Sequence, residues 1–324
     1  MNILEKIRQA RTKKGVRKII YRSELASKKM GVASVELIEN YADALKENKK
    51  LYFQLQKIIK VLKTGKPKDI VYKDILDKDI LVLLKESRIK QIPSETIFRD
   101  YVPLKETGER ILTSIKKKLY VPFFIYAMLV IGLNNTMKSF LEVAETGVVN
   151  FGGMQVWMME NFVVINFVIG FIFAFFLIII PTKTPLIKKV FLRIRGMLAL
   201  STIRTMSDMA YSSADMHKTL MKQFDIQATK TDRSKNKNNI DKLIELLRNQ
   251  KMLDLLEGAE LKLGAERGEL TESVNILLSD KEDEIVDLQE MVNAIVGTLA
   301  MLLLTPPVFM IVSVLTTLMA NAGG

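Results

Sequence analysis

Apolar and polar residues are strongly segregated along the chain, and three long runs contain no charged residue. The runs cover residues 119–137, 161–181 and 291–324. Because an α-helix rises about 1.5 Å per residue, about 20 apolar residues cross the hydrocarbon core of a bilayer. The first two runs therefore predict one membrane-spanning helix each. The third is too long for one straight crossing and has no polar loop, so we expect one helix, kinked at Pro306 and Pro307.

The polar segments between these runs follow the three- and four-residue spacing of amphipathic helices. Residues 35–65 keep this spacing throughout, and Gly65 followed by Pro67 predicts the end of a helix. Pro93 and Ser94 predict the start of another helix. No stretch alternates apolar and polar residues between hairpin turns, so a substantial sheet is not expected. The sequence predicts an all-α membrane protein.

The second polar segment, residues 182–290, has the same organisation as the first. Residues 227–239 form a polar linker, and helical spacing then resumes until the motif "GAERGEL", which contains Gly264 and Gly268. A phosphate-binding loop would need a preceding strand and a following Lys-Ser/Thr, and both are missing. We therefore expect a tight turn between two packed helices, the second of which runs into the third apolar run.

The distribution of charge predicts an orientation in the membrane. Residues 1–118 carry 29 Lys/Arg and 15 Asp/Glu, whereas residues 119–181 carry one Lys and three Glu. Five more Lys or Arg follow directly after the second apolar run. Cytoplasmic loops are enriched in Lys and Arg, which places residues 1–118 and 182–290 in the cytoplasm. The short loop 138–160 and the C-terminus lie outside, so the topology is N-in and C-out.

Several classes of active site are disfavoured by composition. The chain has no Cys and one His, His217, which argues against zinc sites and against Ser-His-Asp catalysis. Acidic residues at positions 280–287 could surround a divalent cation, but a solvated helix face is the favoured interpretation. We predict no catalytic, cofactor-binding or metal-binding residue, and the protein is not expected to be an enzyme.

The excess positive charge lies in residues 1–118, where we expect contact with lipid headgroups and acidic partners. No nucleic-acid recognition motif accompanies it, so no nucleic acid is expected. The three apolar runs contain no Asp, Glu, Lys or Arg, which argues against ion-coupled transport. A small transporter or channel subunit with cytoplasmic gating domains is nevertheless the alternative function.

Two short motifs carry a family resemblance, and the first is "IKKKLYVPFF". It places Tyr120 and Pro122 directly behind a basic cluster, where the first apolar run begins. This motif resembles the end of the first bundle in the inner-membrane platform proteins of type IV pilus and type II secretion systems, the F-protein family. Members of that family have Tyr and Pro adjacent, whereas Val121 separates them here.

The second motif is "GAERGEL", which is similar to the family's signature on the turn before its last helices. Glu266, Gly268 and Leu270 keep the spacing of a Glu-x-Gly-x-Leu core. Ala265 stands where members usually have Gly. By this resemblance we expect these residues, together with Glu269, to fix a turn in the second bundle and to contribute to its interaction surface.

The resemblance covers essentially the whole chain and implies its architecture. It implies two cytoplasmic helical bundles, residues 1–118 and 182–290, with two membrane helices between them and a third after the second bundle. The first-bundle copy of the signature is degenerate and retains only Glu86. Together with the compact first bundle, this suggests the type IVb pilus branch.

The resemblance also implies a function. It predicts a polytopic platform in the bacterial inner membrane that has no enzymatic activity or cofactor of its own. The platform would couple a separate cytoplasmic assembly ATPase to the extraction and polymerisation of major and minor pilins. Further implied partners are other inner-membrane alignment proteins, the lipid bilayer and additional copies of the same chain.

Overall fold

A computed structural model of the chain describes residues 3–183, 185–226 and 238–322. Within these ranges the secondary structure consists of helices and turns without a strand, which confirms the predicted all-α class. A π-helical turn, Ile97–Tyr101, leads directly into α6. The helices are α1 (Ile3–Met30), α2 (Ser34–Ala44), α3 (Lys49–Lys63), α4 (Lys68–Val71), α5 (Lys78–Ile89), α6 (Val102–Glu145), α7 (Gly153–Glu160), α8 (Phe162–Lys183), α9 (Pro185–Asp208), α10 (Ser213–Gln223), α11 (Asn239–Asn249), α12 (Leu255–Arg267) and α13 (Leu270–Ala322).

The chain divides into two compact units. The first unit comprises Met1–Gly108 and Ile194–Glu282, and the second comprises Glu109–Arg193 and Asp283–Gly324. Helices α6, α9 and α13 each contribute residues to both units. The first unit thus draws on both polar segments that the resemblance assigns to separate bundles, and the division into two bundles stays a prediction.

Residues 35–65 form two helices, α2 and α3, where the apolar spacing predicts one. The break falls just before Asn48, whose side chain accepts a hydrogen bond from the backbone N–H of Leu51 at 3.4 Å. Asn is a preferred N-cap because its short side chain satisfies an N–H that has no partner in the first turn. After α3 the chain turns at Gly65, which has a φ of +73°, before it reaches Pro67.

The predicted helix start at Pro93 and Ser94 is confirmed. The backbone N–H of Ile97 donates to the carbonyl oxygen of Ser94 at 3.1 Å, and the π-helical turn follows at once. The side chains of Ile97, Phe98 and Tyr101 in this turn are all buried. The wide turn therefore directs three large side chains into the core of the first unit.

A chain of charged contacts joins three helices of the first unit. Arg17 of α1 donates two hydrogen bonds to Asp77, at 2.8 and 2.7 Å. Lys105 of α6 lies between two carboxylates, 2.9 Å from Asp77 and 2.5 Å from Asp79. Because the Lys105 side chain is only 12% exposed, its charge is largely removed from water and depends on these two carboxylates.

The same contacts continue into the second polar segment. The Tyr101 hydroxyl donates to Asp79 at 2.6 Å and accepts a hydrogen bond from the Gln223 amide at 2.8 Å. The Gln223 amide oxygen in turn accepts from the Thr202 hydroxyl at 2.9 Å. We refer to Arg17, Asp77, Lys105, Asp79, Tyr101, Gln223 and Thr202 as the polar network. It links residues from both stretches of sequence that build the first unit.

A further buried carboxylate, Glu24 of α1, lies outside the polar network. It accepts hydrogen bonds from Lys68 Nζ at 2.6 Å and from the Tyr72 hydroxyl at 2.8 Å. Burial, together with the adjacent Glu24 carboxylate, raises the pKa of Tyr72. The hydroxyl therefore stays protonated at neutral pH and remains a donor to Glu24.

Two helical stretches, Ile97–Glu145 and Leu270–Asn321, are long and apolar enough to cross a membrane. In the most apolar 18-residue segment of the first stretch, only 6% of the residues are buried. In the corresponding segment of the second stretch, 22% are buried. A third candidate is the pair Gly153–Glu160 and Phe162–Phe173, which is bent by 67°. Such exposed apolar surface is stable in contact with lipid and not with water, which indicates a membrane protein with two or three helices able to cross the bilayer.

The described part of the third apolar run, residues 291–322, lies within the single helix α13, and the kink expected at Pro306 and Pro307 stays a prediction. Helix α13 continues through Pro306 and Pro307, and α6 likewise continues through Pro122. The predicted loop 138–160 is mostly helical, because α6 and α7 both extend into it and leave residues 146–152 as the connection. No glycine or proline precedes Gly147 in this region, so nothing ends α6 earlier.

Three helices of the second unit meet around Asn166 of α8, which is 1% exposed. The Tyr126 hydroxyl of α6 lies 2.8 Å from the Asn166 backbone oxygen and 3.0 Å from its amide oxygen. The Asn166 amide nitrogen lies 3.8 Å from the Met310 sulfur of α13. A Cβ on Gly170 would lie 3.2 Å from the Tyr126 ring, so this glycine makes room for the ring.

The connection after α6 is also anchored to α13. Gln155 of α7 donates from its amide nitrogen to the Ser313 backbone oxygen at 3.1 Å and to the Thr317 hydroxyl at 2.7 Å. In an apolar environment such polar contacts hold helices together, although each contributes only about 0.6 kcal/mol on average. A buried apolar cluster surrounds these contacts: Met137, Val149, Phe151, Met159, Phe162, Met310 and Val314.

Replacing Lys105 with Met should destabilise the first unit. The substitution keeps the apolar stem but leaves Asp77 and Asp79 facing each other without a shared cation. We expect the free energy of unfolding in detergent to fall by about 3 kcal/mol, measured by denaturant titration. Lys85→Met, which removes an exposed lysine of α5, is the matched control and should change it by less than about 0.5 kcal/mol. Equal effects from the two substitutions would contradict the assigned role of Lys105.

Candidate functional site at the turn into α13

Residues 264–269 form the turn that joins α12 to α13. Gly268 has a φ of +77°, in the left-handed region that glycine adopts at no steric cost. The N–H of Glu269 donates to the Gly264 carbonyl at 2.7 Å, and the N–H of Gly268 donates to the Ala265 carbonyl at 3.3 Å. These two bonds define a Schellman motif, which satisfies carbonyl groups that the helix end would otherwise leave free. The motif "GAERGEL" is thus a tight turn, as the sequence predicts.

Gly264 is required for a different reason. A Cβ at this position would lie 1.9 Å from the Ser273 hydroxyl oxygen and 2.5 Å from the Ser273 Cβ. No side chain tolerates such distances, so α12 and the first turn of α13 approach each other closely only because residue 264 is glycine. The two glycines therefore have different roles. Gly268 allows the chain to reverse direction, and Gly264 allows the close contact between α12 and α13.

The acidic residues of the motif lie on the surface. Glu266 is exposed and lies 4.0 Å from Lys262, and Glu269 is also exposed. Lys262 forms a 2.9 Å ion pair with Asp241 of α11, and its hydrogen bond to Asp241 raises the pKa of the lysine. Leu270 is partly buried and begins α13. The turn thus presents two carboxylates that a partner can reach, and their role in binding stays a prediction.

The other motif lies in a different part of the structure. Tyr120 and Pro122 both belong to α6 and to the second unit, whereas the turn belongs to the first unit. Tyr120 is 58% exposed, and Pro122 is partly buried. Tyr is enriched where membrane helices meet the headgroups, and the start of the first span at these residues stays a prediction.

A buried ion pair supports the turn from one side. Lys281 of α13 has no exposed side-chain surface and pairs with Glu257 of α12. Glu257 also closes a capping box with Asp254, whose N–H donates to the glutamate at 2.7 Å. A Cβ on Gly196 of α9 would lie 2.3 Å from the Met252 backbone oxygen and 3.2 Å from the Lys281 Cε, so this glycine allows both groups to approach α9. The pair therefore connects α12 and α13 close to α9.

The sequence interpretation missed Lys281, although a signal for it was present. The buried positions Val274, Leu278 and Ile285 define the inward stripe of α13 at helical spacing. Lys281 lies on this stripe, seven residues after Val274, and an unusual cation on an apolar stripe indicates a buried partner.

An open groove of about 790 Å³ lies between α11 and α12, next to the turn. It was also missed, because no sequence motif marks it. The stem of Arg248 crosses over Gly258, where an added Cβ would lie 3.1 Å from the arginine Cδ. The lining combines charged and apolar side chains, including Asp241, Glu245, Arg248, Leu253, Leu255 and Lys262.

The acidic run at 280–287 does not gather into a cluster. Glu284 pairs with Arg193 of α9 at 2.9 Å, while Asp280, Glu282 and Asp283 are exposed on α13. His217 is partly buried on α10. In the part of the chain that the structure describes, no group of three or more His, Asp or Glu side chains is placed to hold a metal ion.

The features that the site offers to a partner are shape and surface charge. The site consists of a rigid turn with two exposed carboxylates, a buried ion pair below it and an open groove beside it. Comparison with protein-family models, with characterised proteins and with solved structures found no match.

Replacing Gly264 with Ala should destabilise the turn through a clash with Ser273. We expect the free energy of unfolding to fall by about 1–3 kcal/mol, measured by thermal or denaturant unfolding in detergent. Ser273→Gly alone should cost about 1 kcal/mol, because it places a glycine in a helix.

The double variant Gly264→Ala, Ser273→Gly provides the control for this prediction. It removes the clashing atoms, so its cost should be smaller than the sum of the two single costs. Strictly additive costs would show that the close approach of Gly264 to Ser273 does not limit the packing of α12 against α13.

Proposed function

We propose that the chain is a polytopic platform protein of the bacterial inner membrane, which serves type IV pilus assembly or a related type II secretion system. One observation carries the proposal. Helices α6 and α13 each begin in the charged first unit and continue into an apolar stretch long enough to cross a membrane. A protein that transmits work between a cytoplasmic motor and a membrane substrate needs such elements.

In this proposal the first unit faces the cytoplasm and receives a separate assembly ATPase. The topology is N-in and C-out, with three crossings formed by α6, the α7–α8 pair and α13. The polar network supports this function because it joins both stretches of the first unit, so that a force applied to one reaches the other. The exposed carboxylates Glu266 and Glu269 lie at the start of α13, where contact with a partner would act on a membrane helix.

The membrane helices receive the apolar stem of a pilin. Large apolar side chains such as Phe124, Phe167 and Phe309 are more than half exposed on these helices and can pack against another apolar helix. The platform performs no chemistry and binds no cofactor. Further copies of the chain and other inner-membrane proteins complete the machine.

The environment of Asn166 supports a role in helix packing for this residue rather than a place on a solute pathway. This residue is the most deeply buried polar side chain at the contact of the three helices, and its amide nitrogen donates to the Phe162 carbonyl at 2.8 Å. Its amide oxygen already faces the Tyr126 hydroxyl. The polar atoms at this contact serve helix packing, whereas a solute pathway would leave polar atoms open to its cargo.

Deletion of the gene should abolish surface pili while pilin continues to accumulate in the membrane. Electron microscopy counts the pili, and immunoblotting of membranes confirms that pilin is still made. Expression of the wild-type chain from a plasmid should restore the pili. The assembly ATPase of the same system should copurify with the tagged chain from crosslinked cells. Normal piliation in the deletion strain, or ATP hydrolysis by the purified chain alone, would overturn the proposal.

A further inference from the structure

Helix α1 is unusually basic, with ten Lys or Arg residues against two Glu. One face of the helix packs into the first unit through Val16, Ile19 and Ile20, which are all buried. The side chain of Arg17 also reaches inward, where Asp77 neutralises it. Four basic residues with described side chains, Lys14, Lys18, Arg22 and Lys29, lie exposed on the other side of the helix.

Five residues on that side form a continuous exposed line, which we call the basic stripe: Lys14, Lys18, Arg22, Leu25 and Lys29. Successive residues of an α-helix turn by about 100°, so these positions fall within an arc of about 80°. From Lys14 to Lys29 the helix rises by 15 residue steps, so the stripe is about 22 Å long. It presents four cations with one leucine among them, and Leu25 is 37% exposed.

The charge of the basic stripe has no counter-charge paired with it among the described residues. None of its four cations forms an ion pair with the part of the chain that the structure describes. Glu24 lies on the same helix, but it is fully buried and accepts its hydrogen bonds from Lys68 and Tyr72. A line of four unpaired cations repels itself, so an anionic surface of matching extent stabilises it.

Three features of the chain identify this surface as a lipid bilayer. Lysine carries its charge on a long flexible stem, which suits a diffuse layer of lipid headgroups. A fixed set of protein carboxylates would instead favour arginine, whose planar guanidinium binds a carboxylate through two hydrogen bonds. Leu25 in the middle of the stripe can enter the boundary between headgroups and acyl chains. The chain is anchored in a bilayer by its own helices, which raises the effective concentration of lipid around α1.

The adjacent helix α3 also presents an exposed apolar side chain next to a cation. Phe53 is 60% exposed, and the Lys57 Nζ lies 4.6 Å from the centre of its ring. Helix α3 contacts α1 near Gly15, where an added Cβ would lie 3.2 Å from a Leu51 methyl carbon. An aromatic ring beside a cation is typical of protein surfaces that bind the interface of a membrane.

We propose that the basic stripe of α1 binds the anionic headgroups of the cytoplasmic leaflet and thereby docks the first unit on the membrane. The inference depends on the membrane anchorage of the chain and is independent of its role in pilus assembly. It adds a lipid-binding surface to a part of the molecule far along the sequence from the spans. Such a surface makes the position of the first unit sensitive to lipid composition and to ionic strength.

The test uses the full chain in lipid nanodiscs. Because the chain has no Cys, Leu25→Cys creates a unique attachment site for an environment-sensitive nitrobenzoxadiazole label. In discs of phosphatidylcholine mixed with about one-third phosphatidylglycerol, the label should be blue-shifted and at least about twofold less quenched by aqueous iodide than in phosphatidylcholine alone. Raising NaCl to about 0.5 M should remove the difference, because it shortens the range of the charges.

Two triple variants of the labelled chain separate the basic stripe from bulk charge. Lys14→Gln, Lys18→Gln, Arg22→Gln should abolish the difference between the two lipids. Lys66→Gln, Lys73→Gln, Lys85→Gln removes the same charge from exposed lysines elsewhere in the first unit and should preserve it. All of these side chains are outside the core, and circular dichroism checks that both variants remain folded.

Three results would overturn the proposal. The first is equal quenching of the label in both lipids for the unmodified stripe. The second is an equal loss of protection in both triple variants, which would assign the effect to net charge. The third is protection that appears only when an acidic protein is added and is indifferent to phosphatidylglycerol, which would assign the basic stripe to a protein partner.

Discussion

The structure depends on one constraint, which is that most of the apolar surface of α6 and α13 is not covered by other described residues of the chain. Only 6% of the most apolar window in Ile97–Glu145 is buried, so this surface requires lipid. Lipid in turn offers no hydrogen bonds to the backbone, so the elements that cross it must satisfy their own N–H and C=O groups. An α-helix satisfies its backbone N–H and C=O groups within its own segment. This explains why the apolar stretches of α6 and α13 are continuous helices that extend into charged sequence.

The first unit has the opposite constraint: it buries charged groups, which must be paired, whereas the second unit exposes apolar surface, which must be covered by lipid. Glu24, Lys105 and Lys281 lose most or all of their contact with water, and each is held by a partner of opposite charge. Breaking such pairs is costly, although replacing them with apolar groups is often neutral. Their value to a platform is geometric, since each pair joins two different helices and restricts how the two can be arranged.

The broad fold could be predicted from the sequence because its signals are strong and local. Uncharged runs mark the apolar helices, and Gly65, Ser94 and Gly268 mark helix ends whose chemistry is fixed by a single residue. The division of residues 35–65 was missed because the apolar spacing continues across Asn48, and only its capping side chain marks the break. Helix α1 was not predicted, because its ten cations hide its short apolar face.

The candidate site was predictable only where one residue determines the backbone. Gly268 and the turn around it follow from the motif, whereas the close approach of Gly264 to Ser273 depends on how two helices pack. Lys281 and Glu257 are 24 residues apart, and their pairing follows from tertiary structure alone. The groove between α11 and α12 has no sequence signal, because its lining is assembled from two ordinary amphipathic helices.

Site-directed cysteine labelling tests the membrane topology at the centre of this account most directly. Val148, 80% exposed between α6 and α7, and Ile89, 60% exposed in the first unit, supply one unique cysteine each in a chain that has none. In intact spheroplasts a membrane-impermeant maleimide should label Val148→Cys and spare Ile89→Cys, and permeabilisation should expose both. Labelling of Ile89→Cys before permeabilisation, or protection of Val148→Cys, would contradict the account.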